Sequence, residues 1–312
     1  MRRHIFLTSG LVALGLASIA AQFSARSDLV VLDVAVTDRR GGFVGGLSQE
    51  AFRLFEEGRP QEISFFASQD APATIGLLID SSGSMAENKA LVVAAISTFA
   101  LASHPEDEFL PITFNERVTV VLPPDRPFTS DVSELRDGLT RNLSAYGRTA
   151  FHDALSHALE RLGSAGRERR ALVILSDGGD NASRSTFDDV LKQVQASNVV
   201  VYTVALLDPL SRDQNPRGLR RLADATGGLA FEPSRISAVS AALGTIAADI
   251  RSRYTLAYAP PAASADGRLK HVTVVAQGPD RSKLKVRTRT GYIAEPPNAT
   301  PASTGDVSEN DR

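Results

Sequence analysis

Asp80, Ser82 and Ser84 alternate along the string DSSGS, three oxygen-bearing side chains set two residues apart. In an extended turn that spacing directs all three to one side, where they can converge on a small hard cation while contributing a single charge. The chemistry implied is cation binding by a site with little negative charge of its own. Taken alone, the string reads equally well as a turn capping the next helix, because Ser and Asp are common turn residues. Two later stretches shift the balance: Thr149 in YGRTAFHDAL and Asp177 in LVILSDGGDN each add a hard oxygen donor.

The elements that must position these donors are legible. The apolar run Ile75 to Ile79 stops abruptly at Asp80 and passes into Ser81, Ser82, Gly83 and Ser84, which predicts a buried strand with a tight loop at its carboxyl end. Arg170 to Ser176 predicts another buried strand, ending at Asp177. Thr149 precedes Ala150 to Leu162, where Phe151, Ala154, Leu155, Ala158, Leu159 and Leu162 mark one face of an amphipathic helix.

Around them, from Thr74, strands and helices alternate. Glu87 to Leu101 reads as a helix apolar on most sides, and Glu108 to Leu122 as two strands joined at Asn115-Glu116. Thr186 with Asp189 forms a capping box, Val199 to Leu206 is a strand, and Asn215-Pro216 opens a helix closed by Gly227-Gly228. Ile236, Val239, Leu243, Ile246 and Ile250 line a last helix. The expectation is an α/β fold, Rossmann-like and doubly wound, with a mainly parallel sheet covered on both faces. In such sheets sites form at the carboxyl ends of the strands, where strand order reverses. Asp80, Thr149 and Asp177 all fall at that edge.

Two β-rich pieces flank this region. In residues 28–70, Val30, Leu32, Val34 and Val36 alternate with less apolar neighbours, a helical turn begins at Ser48, and FRLFEEGRPQEISFF reads as a hairpin about Glu57-Gly58. In residues 253–294, YTLAYAP, LKHVTVVA and SKLKVRTRTGY are strand-like. Neither flank has enough strands to bury a face alone, so the two are expected to pack together as one small β domain with the α/β domain, residues 72–252, inserted between them.

DSSGSM, then a Thr before a helix and an Asp after a later strand, resembles the von Willebrand factor type A domain with its metal-ion-dependent adhesion site, over about Pro72 to Ser252. With the β-rich flanks, the chain is similar to an exported bacterial subfamily. The resemblance implies that Ser82, Ser84 and Thr149 bind a divalent ion directly, that Asp80 and Asp177 hold it directly or through water, and that an acidic side chain of a protein partner completes the shell. The ion implied is Mg²⁺, with Mn²⁺ or Ca²⁺ as alternatives. Neutral hydroxyls would leave the ion electrophilic and receptive to an outside carboxylate. Members often carry Gly-Gly-Thr where this chain has Gly147-Arg148-Thr149, and Arg148 is expected to face solvent.

Composition and compartment agree with a folded, exported chain. The sequence has 312 residues, 43% of them hydrophobic, enough for a substantial core. Its formal charge is -2, from 34 basic and 36 acidic residues, which gives no reason to expect nucleic acid as a partner. Arg2, Arg3, the apolar run Ile5 to Ala21 and small residues after it read as an export signal, residues 1–21, cut after Ala20 or Ala21 by the general or the twin-arginine route. An uncleaved anchor is the competing reading. Cleavage would leave no membrane span and place the protein in the periplasm or outside the cell. There is no cysteine, hence no disulfide. Residues 295–312, polar and charged, read as a disordered tail.

No catalysis is expected. None of the five histidines stands in a triad or metal-ligand pattern; His152 and His157 fall on the polar face of their helix and read as solvated surface or as a weak pair such as Asp153 with His157. Asp177 and Asp180 read as turn and capping carboxylates. The alternatives are a metal-assisted hydrolase and a structural assembly factor with a vestigial metal site. Arg281, Lys283, Lys285, Arg287 and Arg289 alternate along one stretch and read as an outward basic strand face, or as an edge protected by charge, with contact to an anionic envelope polymer or an acidic partner as the alternative.

Overall fold

The computed structural model describes residues 29–68, 70–83, 89–143, 146–207, 213–261, 266–279 and 282–293. The expected export segment and tail, together with Ser84 and Arg281, lie outside the described residues. The chain begins with strands β1 (Val30–Thr37), β2 (Phe52–Glu56), β3 (Arg59–Gln61) and β4 (Phe65–Ala67). β2 and β3 form an antiparallel hairpin whose turn residues, Glu57 and Gly58, both take positive φ, the pair of left-handed conformations that matches strand twist in a two-residue turn.

The α/β body follows: β5 (Thr74–Asp80), α1 (Lys89–Ala102), β6 (Glu108–Phe114), β7 (Val118–Val120), α2 (Val132–Asn142), α3 (Phe151–Gly163), β8 (Arg170–Ser176), α4 (Phe187–Ala196), β9 (Val199–Ala205), α5 (Pro216–Thr226), β10 (Ala230–Phe231) and α6 (Val239–Arg251). Its sheet runs in the order β10-β9-β8-β5-β6-β7, parallel throughout except for the antiparallel edge strand β7. Alternate side chains serve opposite faces, as the pleat requires. Ile75, Leu77 and Ile79 of β5 pack in the core beneath α1, α2 and α6, whereas Leu78 joins Leu172 and Ile174 beneath α3, α4 and α5. Gly76 lets α3 approach, since a Cβ there would lie 2.9 Å from Leu172 Cδ1 and 3.0 Å from Leu162 Cδ1.

The return segment supplies β11 (Tyr254–Tyr258), β12 (Leu269–Ala276), β13 (Lys285–Arg287) and β14 (Gly291–Ile293). The two flanks interleave into two four-stranded sheets, β13-β1-β11-β4 and β14-β12-β2-β3, each drawing on both ends of the chain. One apolar core joins them, with Leu32, Val34 and Val36 from β1, Leu54 from β2, Tyr254 and Leu256 from β11, and Val274 from β12. Each flank supplies only part of the strands and side chains that close this core. Among the described residues no helix is long and apolar enough to cross a membrane.

Body and flank are joined by arginines. Arg253, 1% exposed, donates to Asp249 on α6, to the Tyr202 hydroxyl, and to the carbonyls of Gly227 and Asp33. Arg287 on β13 also reaches Asp249 and the Gly227 carbonyl. Arg289 inserts among the Gln195 carbonyl at 2.6 Å, the Ser197 carbonyl at 2.7 Å and the Asn198 side-chain amide oxygen at 3.1 Å, satisfying carbonyls in the last turn of α4 and at its cap. These contacts correct the expected outward basic face: Lys283 and Lys285 are exposed, but Arg287 and Arg289 turn inward to a buried carboxylate and to orphan carbonyls. The stretch is also not one strand, for β13 and β14 belong to different sheets.

Candidate functional site

β5 and β8 are parallel neighbours at the centre of the sheet. The chain leaves β5 for β6 on one side and later returns to β8 on the other, so their carboxyl ends flank the point where strand order reverses. Asp80 closes β5 and Asp177 follows β8. Both are buried, 1% and 8% exposed, together with Ser82 at 6% and Thr149 at 9%.

Asp80 Oδ1 accepts the Ser82 N–H at 2.8 Å, an Asx-type turn that bends the chain out of the strand. Its Oδ2 accepts the Ser176 hydroxyl at 2.8 Å, and Ser176 Oγ in turn accepts the Gly178 N–H at 3.0 Å. Burial pushes the Asp80 carboxyl above its ordinary range; hydrogen bonds from Ser82 and Ser176 oppose the shift, and the nearby charge of Asp177 adds to it. Asp177 shapes its own turn, with Oδ1 accepting the Gly179 N–H at 2.8 Å. Gly178 sits at φ +76°, and a Cβ there would meet the Asn215 carbonyl oxygen at 2.8 Å, so only glycine fits between the Asp177 loop and the start of α5.

Thr149 is held from the Asp177 side. Its N–H donates to Asn181 Oδ1 at 3.0 Å, and its carbonyl accepts the N–H groups of Asn181 and Ala182 at 2.9 and 3.1 Å. On the other side the Tyr146 N–H donates to the Ser81 carbonyl at 3.2 Å, the Asn115 amide donates to the Tyr146 carbonyl at 3.1 Å, and the Ser81 hydroxyl donates to the Phe114 carbonyl at 2.9 Å. The loops after β5, β6 and β8 and the segment before α3 are thus stitched to one another. Of the five residues expected at the site, Asp80, Ser82, Thr149 and Asp177 lie in this stitched edge, and Ser84 lies outside the described residues. Ser176, Asn181, Asn115 and Ser81 were not anticipated from sequence; the position of Ser176 and Asn181 beside Asp177 was the available signal.

The donors at this edge are all oxygen: two carboxylates that repel one another, plus neutral hydroxyls. Such a set matches a hard divalent cation, which takes oxygen ligands and relieves the repulsion of buried carboxylates. Ser82 and Thr149 would serve as hydroxyl ligands, with Asp80 and Asp177 holding the ion directly or through water.

The histidines differ from expectation. His152 is partly buried, with ring contacts to Phe151 and Phe187 and Nδ1 placed 3.1 Å from the Ser185 carbonyl and 3.3 Å from Asp180. It wedges the loop after Asp177 against α3 rather than facing water. Asp180 does act as a cap, accepting the His152 N–H at 2.8 Å. Asp153 accepts the Arg184 and Ser185 N–H groups, each at 3.0 Å, in place of the expected contact with His157. Burial of Asp153 raises its pKa, but those hydrogen bonds and the Arg184 charge outweigh it and hold the carboxyl below its ordinary range. Burial, helped by Arg161, pushes the His157 imidazole down.

No curated protein matches the sequence. Similar solved structures include a von Willebrand factor type A protein from Catenulispora acidiphila, at 14% identity over 85% of this chain and 73% of that one, with a TM-score of 0.49. They also include the vWF domain of the type V pili tip protein Mfa5 from Porphyromonas gingivalis, at 11% identity, 59% and 96% coverage and a TM-score of 0.48. The family model for the von Willebrand factor type A domain matches residues 74–245. That match spans more than half of the 312 residues and coincides with the alternating body from β5 into α6, and the chain belongs to the von Willebrand factor type A domain family.

Proposed function

We propose that this protein is a metal-dependent protein-binding module of the bacterial cell envelope, holding a divalent cation at the carboxyl edge of its central sheet and taking an acidic side chain of a partner as the outer ligand. The observation that carries the reading is the placement of Asp80 and Asp177: two buried carboxylates at the carboxyl ends of the neighbouring strands β5 and β8, where strand order reverses, with Ser82 and Thr149 buried in the adjoining loops. Mg²⁺ is the ion preferred, since it keeps octahedral oxygen coordination and readily retains water in positions a partner carboxylate can take. Ser84, next in the alternation, is proposed as a further hydroxyl ligand. Family membership supports the reading, because the resemblance in DSSGSM, Thr149 and Asp177 implies this manner of binding. Export to the periplasm or beyond, by a cleaved signal in residues 1–21, belongs to the same proposal.

Calorimetric titration of Mg²⁺ and Mn²⁺ into the full chain and into Ser84→Ala and Asp177→Ala tests it. Saturable binding in the parent and its loss in both variants is the expected result. Undiminished binding in both variants would reduce the DSSGS loop to a helix-capping turn and end the proposal.

A further inference from the structure

The chain has five tyrosines and no tryptophan. Four of the tyrosines are buried: Tyr202, Tyr254 and Tyr258 at 0% exposure and Tyr292 at 6%. Their hydroxyls are engaged, Tyr202 with Asp249, Tyr254 with the Val44 carbonyl, and Tyr258 and Tyr292 with Glu56. Tyr146 is the exception, 63% exposed.

Its backbone is fixed all the same. The Tyr146 N–H is bonded to the Ser81 carbonyl and its carbonyl to the Asn115 amide. Gly147 then turns at φ +90°, a left-handed conformation that glycine adopts without strain. The bend returns the chain to Thr149 and leaves Tyr146 and Arg148 exposed on the outer side. A large aromatic side chain on an anchored backbone offers contact area at little ordering cost, which is why tyrosine is favoured at binding surfaces.

We propose that Tyr146 is the contact for a partner residue next to the one that binds the cation, so that the protein recognises a polypeptide segment in which an acidic residue has an apolar or aromatic neighbour one or two positions away. The proposal rests on the cation reading above. The spacing follows from reach. Tyr146 is tied to Ser81, the immediate neighbour of Ser82, while an extended partner advances about 3.3–3.6 Å per residue. The Tyr146 backbone is held one hydrogen bond, 3.2 Å, from the Ser81 carbonyl, so a residue one or two positions from the coordinating acid, about 3–7 Å along the partner, has the reach to meet the ring. Apolar contact with the ring face and exclusion of water around the metal–carboxylate bond act together there, since water shed from the rim strengthens the electrostatic contact inside it.

The test selects a phage-displayed library of random heptapeptides on the full chain in Mg²⁺, with elution by chelator, in parallel for the parent, Tyr146→Ala and Tyr146→Phe. Calorimetry with Mg²⁺ accompanies each protein. The expected outcome is chelator-eluted sequences in which Asp or Glu lies within two residues of Leu, Phe, Tyr or Trp for the parent and Tyr146→Phe. Tyr146→Ala should bind a selected peptide about tenfold more weakly or worse, with unchanged Mg²⁺ affinity. The same peptide should slow nitration of Tyr146 by tetranitromethane. Mg²⁺ binding without selected sequences, selection of acidic residues with no apolar neighbour, or an apolar preference that survives Tyr146→Ala would each overturn this proposal while leaving the cation reading intact. Absence of Mg²⁺ binding in the parent would overturn both.

Discussion

Asp249 and Arg253 lie four residues apart across the end of α6, and their side chains meet at 2.8 Å with 0% and 2% of their surfaces exposed. Arg287 reaches the other oxygen of the same carboxylate. A single buried acid on the body thus receives two cations from the return segment, and removing it would leave both without their counter-charge.

The first prediction follows from that pairing. Asp249→Ala should destabilise the full chain by roughly 3–5 kcal/mol, the usual consequence of breaking a buried ion pair, measured by urea unfolding. Burial opposes ionisation of Asp249, but Arg253 and Arg287 outweigh it and hold the carboxyl below its ordinary range. A depressed carboxyl pKa contributes stability above its unfolded value that is lost as pH falls through the folded one. Stability of the parent should therefore decline on acidification below about pH 4 more steeply than that of Asp249→Asn. Equal acid slopes would show that the pair carries no linked protonation.

The second concerns where the body can be cut. A fragment of residues 72–252 retains Asp249 but lacks Arg253 and Arg287. We expect it to melt well below the body in the intact chain, and Asp249→Asn to recover part of the difference by removing the unpaired charge. Scanning calorimetry decides. A melting temperature for the fragment equal to that of the intact chain would mean that the arginines fasten the flank without supporting the body.

Gly228 gives the third. A Cβ at this position would lie 1.8 Å from the Val201 carbonyl oxygen, a backbone atom of β9 held between β10 and β8 that cannot move aside. Gly228→Ala should cost more than about 4 kcal/mol or abolish folding, placing it among the exceptional single substitutions. Gly163→Ala, where nothing lies within 4 Å of the added Cβ, is the matched control and should be nearly neutral. Comparable thermal stability of the two variants would contradict the close approach.

The fourth separates a ligand from its support. Asn181 Oδ1 holds the Thr149 N–H and is not itself proposed to touch the ion. Asn181→Ala should weaken Mg²⁺ binding about 10–100-fold, the range for lost outer-shell support, while unfolding changes little. Unaltered affinity in calorimetry would remove Asn181 from the site.

Much of this architecture was legible from local pattern. The run ending at Asp80, the amphipathic face of α3, the Thr186–Asp189 capping box and the Asn215 and Gly227 ends of α5 appear where the residues place them, because each is decided within a few positions. α2 was missed: Leu135 and Leu139 are a narrow stripe interrupted by Gly138, although Asp131, which caps the Ser133 and Glu134 N–H groups, marked its start. Arg287 and Arg289 were misread for a different reason. Alternation of charge separates two faces of a strand without saying which one is buried, and here the inward side meets a carboxylate and helix-end carbonyls contributed by distant segments. His152 fails similarly, since the loop that covers it arrives from beyond β8. At the site, residue types named the donors, but the hydrogen bonds that order them depend on which strands become neighbours.

β4 and β11 are antiparallel neighbours, with Thr255 opposite Ala67, so the whole α/β body is, in polymer terms, one loop closed by that pair. Closing a loop of this length in a disordered chain carries a high entropic cost before any contact compensates for it. Once the body has formed its own parallel sheet, however, Thr74 and Arg251 are fixed in space and the two flank strands are delivered side by side. Folding is therefore expected to proceed from the inside outward, with the body early and the flank sheets last. Variants in the β1–β11 core should mainly speed unfolding, while variants in the β5–β8 core slow refolding; stopped-flow measurements that found the reverse would place the nucleus in the flank.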